Sequence, residues 1–479
     1  MRNSSQPPDP RTLVLFGVPF HDVTMAETLE WIDGLIASRR PAYLVTANLD
    51  FAAQASGDVE LQRILVEAEL VLCDGTPLVW ASRLAGKPLR ERVAGSDLVP
   101  RLAAHAERRG YKIFLLGGEP EILERAATNL SKNHPLLPPV KFYSPPFASL
   151  QDLDHAGIRQ RLEEAQPDIL LVAFGCPKQE KWISMHYRSM GVPCSIGVGA
   201  TVDFLAGKVS RAPAWMAKLG LEWVFRLSQE PKRLAGRYWK DICFLVGQSW
   251  REFRVARASG ALPPPHAQEV PPSPELEVIS WKGAIASADL DQLPRPSMTA
   301  PFVIDLSGVS GVDSRGLGMM LRMIRESWTA GVGGCFLAPS AAVRLVVEVT
   351  RLERILPLAA TMEEAKALLA REPSAVRPHL DETGGLSIEF PQRVTAENAQ
   401  VLGQGIKQSW EENPLARRIA VDLAETTFID SSGLGLILRL HRLAAGRAGA
   451  RMEILHPHGN VLNVIRIAGL ESLLLPPGR

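Results

Sequence analysis

The sequence predicts an α/β protein of several domains, because 479 residues exceed what one compact core accommodates. Continuously apolar segments alternate with helical patterns through the first half, which is typical of a parallel sheet covered by helices on both faces. A proline-rich segment at 258–274 is typical of a linker. The two stretches that follow it repeat each other, as duplicated domains do. We therefore expect a Rossmann-like parallel-sheet domain followed by two small α/β domains.

The first domain, residues 1–257, contains five segments that predict buried strands. Each segment is mostly apolar and ends in polar or glycine residues. Because the carboxyl ends of parallel strands meet at one edge of a sheet, ligands bind there in such folds. The predicted strands are AYLVTAN (42–48), LVLCDG (70–75), KIFLLGG (112–118), DILLVAFG (168–175) and PCSIGVG (193–199).

The two small domains are predicted from an internal repeat. The segment VIDLSGVSGVDSRGLGMMLRM at 303–323 aligns without a gap with AVDLAETTFIDSSGLGLILRL at 420–440. Each reads as a buried strand, a polar turn that holds Asp-Ser, and a glycine-rich entry into an apolar helix. A weaker break lies at 371–385. These features place the small domains at 275–371 and 385–479.

The net charge of the chain and its distribution indicate which kinds of ligand the protein can bind. The formal net charge is +1, so the chain as a whole offers no argument for binding nucleic acid. Between residues 201 and 260, however, eleven Lys or Arg residues stand against five Asp or Glu residues. This local excess predicts a phosphate-bearing ligand or an anionic surface.

Cysteine usage and hydropathy predict a cytosolic protein that is soluble or bound peripherally to a membrane. The five cysteines are odd in number and show no paired spacing, which favours reduced thiols. The N-terminal MRNSSQPPDP lacks the apolar stretch of a signal peptide. No segment reaches the roughly 18 consecutive apolar residues of a membrane span.

Polar residues and glycines at the ends of the predicted strands form the candidate site. Glycines there let backbone N–H groups approach a phosphate, and a helix that begins immediately afterwards adds its dipole. Each of these turns can equally be only a tight turn, and Asp74 can cap a helix as well as act as a general base. The strand-end residues are Thr46, Asn48, Asp74, Gly75, Gly117, Gly118, Gly175, Lys178, Gln179, Glu180, Gly197, Gly199 and Asp203.

Several motifs of the first domain occur in the order and spacing of a known family. They are TANLD, DGTPLVW, RVAGSDL, FLLGG, FGCPKQEKW, RAPAW and EWVFRLSQEPKR. Over about residues 15–240 the chain resembles the WecG/TagA/CpsF family of bacterial glycosyltransferases. The resemblance implies an inverting, metal-independent enzyme without a cofactor, which serves cell-surface polysaccharide synthesis. Such an enzyme transfers an N-acetylmannosamine-type sugar from a UDP donor to a polyprenyl-diphosphate-linked acceptor at the inner face of the cytoplasmic membrane.

The resemblance also implies roles for individual residues. Asp74 matches the proposed general base, which would deprotonate the acceptor hydroxyl. Thr46 and Asn48 match strand-end residues that line the sugar site, and we group them with Asp74 as catalytic candidates. The predicted substrate-binding residues are Arg92, Gly117, Gly118, Gly175, Gln179, Glu180, Gly197, Arg226, Arg233 and Arg237.

The C-terminal appendage of the first domain, residues 221–257, mixes aromatic and basic residues. One interpretation is a solvated amphipathic helix pair with an apolar core face. In the other, its arginines pair with diphosphate oxygens, and Trp239, Phe244 and Trp250 lie at a bilayer interface. The family resemblance implies the second, with the appendage closing the active site and touching the membrane. At Gly236 the sequence departs from the family, in which arginine is common.

The DSRG and DSSG turns of the small domains resemble those of STAS domains, the fold of anti-sigma-factor antagonists. The second is the closer match, because Arg315 departs from the pattern in the first. The resemblance implies that Ser314 and Ser431 are candidates for phosphorylation, since a phosphate at a helix N-terminus changes what can dock there. Asp-Ser can equally cap the following helix in a scaffold without phosphorylation.

These features support two hypotheses of different class. In the first, an active glycosyltransferase carries STAS domains that regulate it or dock a partner. In the second, the first domain is an inactive nucleotide-sugar sensor that signals through phosphorylatable STAS domains. The presence of Asp74 and the arginine set favours the enzyme. The expected partners are the UDP-sugar, the lipid-linked acceptor, the inner membrane surface and a kinase or regulatory protein, without nucleic acid.

Overall fold

The computed structural model of the chain contains two compact units. Residues 1–146 and 154–370 form the first, which holds the parallel-sheet domain together with the first small domain. Residues 147–153 and 371–479 form the second, which holds the second small domain. The predicted linker lies outside the described residues, except for its first two positions, which end a helix. The structure describes residues 10–467, except 85–87, 151, 210–211, 214–215, 217–221, 230, 260–275, 287–289, 291, 331, 370–377, 382–383 and 396–397.

An antiparallel hairpin precedes the main sheet of the N-terminal domain, and it pairs β1 (Thr12–Leu15) with β2 (Val18–His21). The turn residues Phe16 and Gly17 have φ of 53° and 79°, as a two-residue hairpin turn requires. The sequence did not predict this hairpin. Phe-Gly is not a typical turn pair, and Pro19 inside the second strand argues against a strand.

A six-stranded parallel sheet forms the centre of the N-terminal domain. The five predicted strands are all present, and every residue within their observed bounds is buried, which explains their continuously apolar sequences. The sixth was not predicted, because it is a three-residue edge strand with two exposed residues. The strands are β3 (Ala42–Ala47), β4 (Leu70–Cys73), β5 (Ile113–Leu116), β6 (Lys141–Tyr143), β7 (Ile169–Val172) and β8 (Cys194–Gly197), in the spatial order β4-β3-β8-β7-β5-β6.

Local capping fixes where several helices of this domain begin. Thr24 and Glu27 form a reciprocal capping box at the first helix. Asp58 caps the third helix by accepting a hydrogen bond from the Leu61 N–H at 3.0 Å. The described helices are α1 (Met25–Ser38), α2 (Leu49–Ala55), α3 (Val59–Glu67), α4 (Thr76–Leu84), α5 (Gly95–Arg109), α6 (Pro120–Asn133), α7 (His155–Ala165), α8 (Lys178–His186), α9 (Thr201–Leu205), α10 (Glu222–Gln229) and α11 (Pro231–Ser259).

The first small domain, residues 276–369, has a four-stranded parallel sheet. The predicted strand, turn and helix are present, and the strand runs on to Val312 despite two register shifts against its neighbour. Its strands are β9 (Glu277–Ile285), β10 (Phe302–Val312), β11 (Gly334–Leu337) and β12 (Leu358–Ala359); its α-helices are α12 (Ser314–Ala330), α13 (Ala341–Val349) and α14 (Met362–Leu369).

The second small domain repeats this plan with one difference. Its predicted strand is broken in two, because the part that precedes the Asp-Ser turn leaves the main sheet and pairs with another short strand. The strands are β13 (His379–Leu380), β14 (Leu386–Glu389), β15 (Arg393–Val394), β16 (Arg418–Asp422), β17 (Phe428–Ile429) and β18 (Arg451–Leu455); the helices are α15 (Ala399–Glu412), α16 (Ser431–Ala445) and α17 (Gly459–Ile467).

The first small domain packs directly on the N-terminal domain. Helix α12 approaches the hairpin so closely that a Cβ added at Gly318 would lie 2.5 Å from the carbonyl oxygen of Thr12. Arg325 on the same helix donates to the Ala68 carbonyl at 2.8 Å and forms a 2.9 Å ion pair with Glu69. These contacts explain why the two domains form one compact unit.

Buried groups also join the two domains. Val14 and Val66 of the N-terminal domain belong to the apolar core of the first small domain. His21 accepts a hydrogen bond from the Val71 N–H at its Nδ1 atom, at 2.8 Å. The pKa of His21 is lowered to about 3, mainly by burial and to a smaller extent by the positive charges of Arg325 and Arg322. The imidazole is therefore neutral in the folded protein at neutral pH.

Candidate active site

A cavity of about 1390 Å³ opens at the carboxyl ends of β3, β4, β7 and β8. This is the edge where a parallel sheet binds its ligands. Helices α10 and α11 cover it, and the first small domain supplies part of its lining. The polar residues that line it include Thr46, Asn48, Asp50, Asp74, Thr76, Arg92, Ser96, Gln179, Thr201, Glu222, Arg226, Arg237, Asp241, Asp313 and Ser314.

Asp74 lies in this cavity directly after β4. Its Oδ2 atom accepts a 3.1 Å hydrogen bond from the N–H of Gly95, the first residue of α5, and so faces the positive end of that helix. Burial raises the pKa of Asp74 to about 6, and the negative charge of Glu222 adds to this rise. The hydrogen bond from Gly95 and the positive charges of Arg92 and Arg226 act in the opposite direction. At pH 7 the carboxylate is therefore mostly ionised and has a proton affinity that suits a general base.

Thr46 and Asn48 stand beside Asp74 at the end of β3. The Thr46 hydroxyl donates to the Gly197 carbonyl at 3.4 Å, and a Cβ added at Gly95 would lie 3.2 Å from its oxygen. Asn48 caps α2, because its Oδ1 accepts a hydrogen bond from the Phe51 N–H at 3.2 Å. The structure thus brings all three catalytic candidates together.

Gln179 lines the cavity and connects the turns that follow β7 and β8. Its Oε1 atom accepts hydrogen bonds from the N–H groups of Gly175 and Gly199, both at 3.1 Å, and its Nε2 donates to Glu180 at 2.7 Å. The abrupt turn after β7 is therefore held against the turn after β8. Gln179 shapes the lining of the cavity through these bonds, which already engage both of its polar atoms.

Glu180 was predicted to bind substrate, but it is not among the residues that line the cavity. Its side chain is 1% exposed and lies under β8, where burial raises its pKa to about 7. A Cβ added at Gly197 would lie 2.7 Å from its Oε1 atom, so this glycine permits the close approach. Gly175 and Gly197 themselves do line the cavity.

The predicted arginines meet acidic or aromatic partners around the cavity. Arg92 forms ion pairs with Asp97 at 2.7 Å and Glu222 at 3.2 Å. Arg226 lies 4.8 Å from the centre of the Phe204 ring, in cation–π geometry. Arg237 forms an ion pair with Asp50 at 2.8 Å. The side chain of Arg233 lies outside the described part of the chain.

The acidic residues that form ion pairs with these arginines were not predicted from the sequence. Asp50 and Glu222 are ion-paired in the cavity, and burial with the nearby Asp50 raises the pKa of Asp241 to about 6. Asp50 stands within the TANLD motif and Glu222 within EWVFRLSQEPKR, so the motifs marked both positions without indicating their partners.

The structure places Gly117 and Gly118, which were predicted to bind substrate, away from the cavity. They follow β5, which is separated from β8 by β7. Both have positive φ, 92° and 82°, and a Cβ added at Gly117 would clash with the Phe174 ring at 2.5 Å. They form a tight turn, which was the alternative interpretation.

The aromatic residues of the appendage divide into two groups. Trp239 and Trp250 are 68% and 63% exposed, as a surface-binding role requires. Phe244 instead packs edge-to-face on Phe16, with ring centres 6.1 Å apart, so it joins α11 to the hairpin. In the part of the chain that the structure describes, no helix is long and apolar enough to cross a membrane.

The first small domain supplies a wall of the cavity that the sequence did not predict. We call it the α12–α13 wall; it consists of Val312, Asp313, Ser314, Leu317, Val346, Val349 and Thr350. No local pattern indicates it, because it depends on how two domains dock.

Both phosphorylation candidates lie at helix starts. Asp313 accepts hydrogen bonds from the N–H groups of Arg315 and Gly316, both at 2.8 Å, beside the half-buried Ser314. Asp430 caps α16 in the same way, and Ser431 is 8% exposed. The capping role is therefore present in both domains, and phosphorylation stays a prediction.

A parallel sheet with a carboxylate and paired arginines at its carboxyl edge defines an α/β protein suited to acid–base chemistry on an anionic ligand. Comparison with known proteins identifies the family to which the chain belongs. The chain belongs to the glycosyl transferase WecG/TagA/CpsF family, whose model matches residues 13–259, just over half of the chain. The STAS domain model matches residues 248–365 and 377–477. Both resemblances inferred from the motifs are thereby confirmed.

Curated relatives support glycosyl transfer. One from Bacillus subtilis (strain 168) is 29% identical over 224 residues, which are 47% of this chain and 86% of the relative. One from Staphylococcus aureus (strain MW2) is 30% identical over 222 residues, 46% of this chain and 85% of the relative. Both are named N-acetylglucosaminyldiphosphoundecaprenol N-acetyl-beta-D-mannosaminyltransferase.

Among solved structures, the chain is similar to the anti-sigma factor antagonist SpoIIAA in its unphosphorylated form. The identity is 20%, the TM-score is 0.20, and the match covers 22% of this chain and 90% of that one. The murine Slc26a9 anion transporter matches at 17% identity and a TM-score of 0.16, over 19% of this chain and 16% of that one.

Proposed function

We propose that the protein transfers an N-acetylmannosamine-type sugar from a UDP donor to a polyprenyl-diphosphate-linked N-acetylglucosamine in cell-surface polysaccharide synthesis. The names of the two relatives support this acceptor and this sugar. The observation that carries the proposal is Asp74, a carboxylate with a pKa raised to about 6 in a large cavity at the carboxyl edge of the sheet.

In this reaction Asp74 acts as the general base. It takes the proton from the acceptor hydroxyl as the hydroxyl oxygen attacks the anomeric carbon of the donor. The bond between that carbon and the diphosphate breaks on the opposite face, so the configuration inverts and UDP leaves. Thr46 and Asn48, next to Asp74, are placed to contact the sugar.

The charge on the leaving diphosphate is neutralised by arginines without a metal ion. Arg92, Arg226 and Arg237 line the cavity and carry fixed positive charges. Each already has an acidic or aromatic partner, so an incoming diphosphate exchanges one set of contacts for another. We therefore expect transfer to continue in EDTA.

The enzyme works at the inner face of the cytoplasmic membrane, where a lipid-linked acceptor is found. The exposed Trp239 and Trp250 on α11 are suited to a bilayer interface. The exposed cations Lys240 and Arg251 follow them directly and are suited to anionic lipid.

The STAS domains regulate transfer through phosphorylation. Ser314 lines the same cavity as Asp74, which supports this proposal, because a phosphate there would add negative charge where an anionic substrate binds. We expect Ser314→Glu to raise the KM for the UDP-sugar about tenfold, and more at low salt than at high salt. The matched Ser314→Gln variant has the same size without the charge and should stay near wild type; equal effects of both would contradict the proposal.

The direct test is UDP release by the purified chain with UDP-N-acetylmannosamine and a short-chain lipid-diphosphate-linked N-acetylglucosamine. We expect turnover in wild type and loss of turnover with retained donor binding in Asp74→Asn. Asp58→Asn is the matched control, because Asp58 caps α3 outside the cavity and Asn caps equally well. Donor binding without turnover in wild type, with every donor and acceptor tried, would favour the sensor hypothesis.

A further inference from the structure

The part of the cavity that faces the first STAS domain is apolar. From the N-terminal domain it receives Val14, Leu15 and Phe16 of the hairpin and Ile242 and Leu245 of α11. The α12–α13 wall lines the same cavity and contributes four aliphatic side chains, Val312, Leu317, Val346 and Val349.

Two of the three polar side chains of this wall, those of Asp313 and Thr350, are engaged by backbone groups of the adjoining helices. The Thr350 hydroxyl donates to the Val346 and Val347 carbonyls at 2.9 and 3.0 Å. The Asp313 carboxylate accepts two N–H groups at the start of α12. Apart from the Ser314 hydroxyl, the surface that the wall offers to a ligand is therefore mostly hydrocarbon.

The wall is fixed in place by contacts with the N-terminal domain. The Gln248 side chain of α11 donates to the Val349 carbonyl at 2.8 Å. A Cβ added at Gly17 would lie 2.5 Å from the Thr350 carbonyl oxygen, so the hairpin turn touches the end of α13. Three elements thus enclose this apolar part: the hairpin, α11 and the first STAS domain.

We propose that the first STAS domain forms part of the acceptor site and that the α12–α13 wall binds the isoprenoid chain next to the acceptor diphosphate. This inference rests on the proposed function, because it requires a lipid-linked acceptor. The cavity volume of about 1390 Å³ exceeds the roughly 300–1,000 Å³ typical of a pocket for one small ligand, and leaves room beyond the donor. Its arginines suit the diphosphate, and Arg237 stands on α11, the helix that also carries Ile242 and Leu245.

A binding measurement tests the wall without relying on catalysis. Farnesyl diphosphate, a short isoprenoid, is compared with inorganic diphosphate by calorimetry on the full chain. Because each buried methylene raises affinity about fourfold, wild type should prefer the isoprenoid by at least about tenfold. The double variant Val346→Asn/Val349→Asn should lose most of this preference and keep its affinity for inorganic diphosphate.

Leu345→Asn is the matched control, since Leu345 is a half-buried residue of the same helix that does not line the cavity. It should keep the wild-type preference. A thermal scan checks folding, and Val346→Ala/Val349→Ala replaces the Asn pair if that pair does not fold. An unchanged preference in the folded double variant, or no preference in wild type, would overturn the inference.

Transfer kinetics separate this inference from the proposed function. With a long isoprenoid acceptor the double variant should show a KM raised about tenfold or more, while an acceptor with a minimal chain should be used as by wild type. Equal losses with both acceptors would contradict a hydrocarbon site. If wild type binds the isoprenoid through the wall but transfers no sugar, the proposed function fails and the lipid site stands.

Discussion

Asp74 and Glu180 are two carboxyl groups that follow strands β4 and β7 of the same sheet and have different surroundings. Burial raises both pKa values, to about 6 and about 7. Asp74 opens into the cavity, whereas Glu180 lies beneath β8 and accepts a hydrogen bond from Gln179. Of the two, only Asp74 can reach a substrate, so the geometry keeps the catalytic role predicted for Asp74 and moves Glu180 from the predicted binding site to a buried position beneath the sheet.

The pH dependence of transfer should report Asp74. A general base must be ionised, and its pKa is raised to about 6, so kcat/KM should fall about tenfold per pH unit below pH 6. Above that value the acidic limb should level off. The measurement is kcat/KM between pH 4.5 and pH 8, under conditions where the fold persists. An acidic limb with its midpoint near the ordinary pKa of aspartate, about 4, would contradict the assignment.

The hydrogen bonds of Gln179 should stabilise both turns and the donor site. Gln179→Ala leaves the N–H groups of Gly175 and Gly199 without this acceptor, which costs about 1–3 kcal/mol in the free energy of unfolding. The KM for the donor should rise as well. Urea denaturation and kinetics measure both effects. Gln160→Ala, at a surface position bonded to Glu164, should change stability by less than about 0.5 kcal/mol; similar losses in the two variants would contradict this role.

At the scale of elements, the docking of α12 on the hairpin distinguishes this protein from a catalytic domain with a loose tail. The contact places the half-buried His21 between β4 and two arginines of α12, and desolvation with repulsion from the arginines lowers the pKa of the imidazole to about 3. The unfolded chain binds a proton at His21 below about pH 6.5, whereas the folded chain does not. The contribution of His21 to the free energy of unfolding is therefore fully present above pH 6.5 and decreases as the pH falls toward 3.

This linkage predicts an acid-sensitive unit. Between pH 6.5 and pH 4 His21 should remove up to about 1.4 kcal/mol of unfolding free energy per pH unit. His21→Gln keeps an acceptor for the Val71 N–H without the titration, so its stability should decline less with acid than that of wild type. Urea denaturation of both proteins at pH 7, 6 and 5 measures the difference. Parallel curves would contradict the burial of a neutral His21.

The elements also show what the sequence could predict. Five strands were found because burial on both faces makes them continuously apolar, and the Asp-Ser turns because they precede apolar helices. The hairpin and the edge strand carry neither signal. Asp74 was found from its place after a strand, and the family resemblance supported it. The α12–α13 wall could not be predicted, because it follows from docking between domains that are far apart in the sequence.

At the scale of the whole molecule, the chain divides into a unit that holds the complete cavity and a unit that holds the second STAS domain. The first STAS domain belongs with the catalytic domain, as the shared core with Val14 and Val66 demonstrates. A chain of two modules is therefore a better description than an enzyme with a tandem tail.

Truncation should reveal this division. A chain ending at residue 370 keeps the first unit, so we expect it to fold and to bind donor like the full chain. A chain ending at residue 259 exposes Val14 and Val66 and loses the ion pair between Arg325 and Glu69, so it should aggregate or unfold at a lower temperature. Thermal unfolding and donor calorimetry compare the three lengths. A stable, fully active shorter chain would contradict the two-domain unit.

The central claim is glycosyl transfer by Asp74 in a cavity without a required metal. It is tested most directly by following labelled N-acetylmannosamine from its UDP donor onto lipid-diphosphate-linked N-acetylglucosamine, in EDTA, with wild type and Asp74→Asn. The account predicts a labelled lipid product of inverted anomeric configuration in wild type and none above background in Asp74→Asn. Equal product from both proteins, or a product with retained configuration, would contradict it.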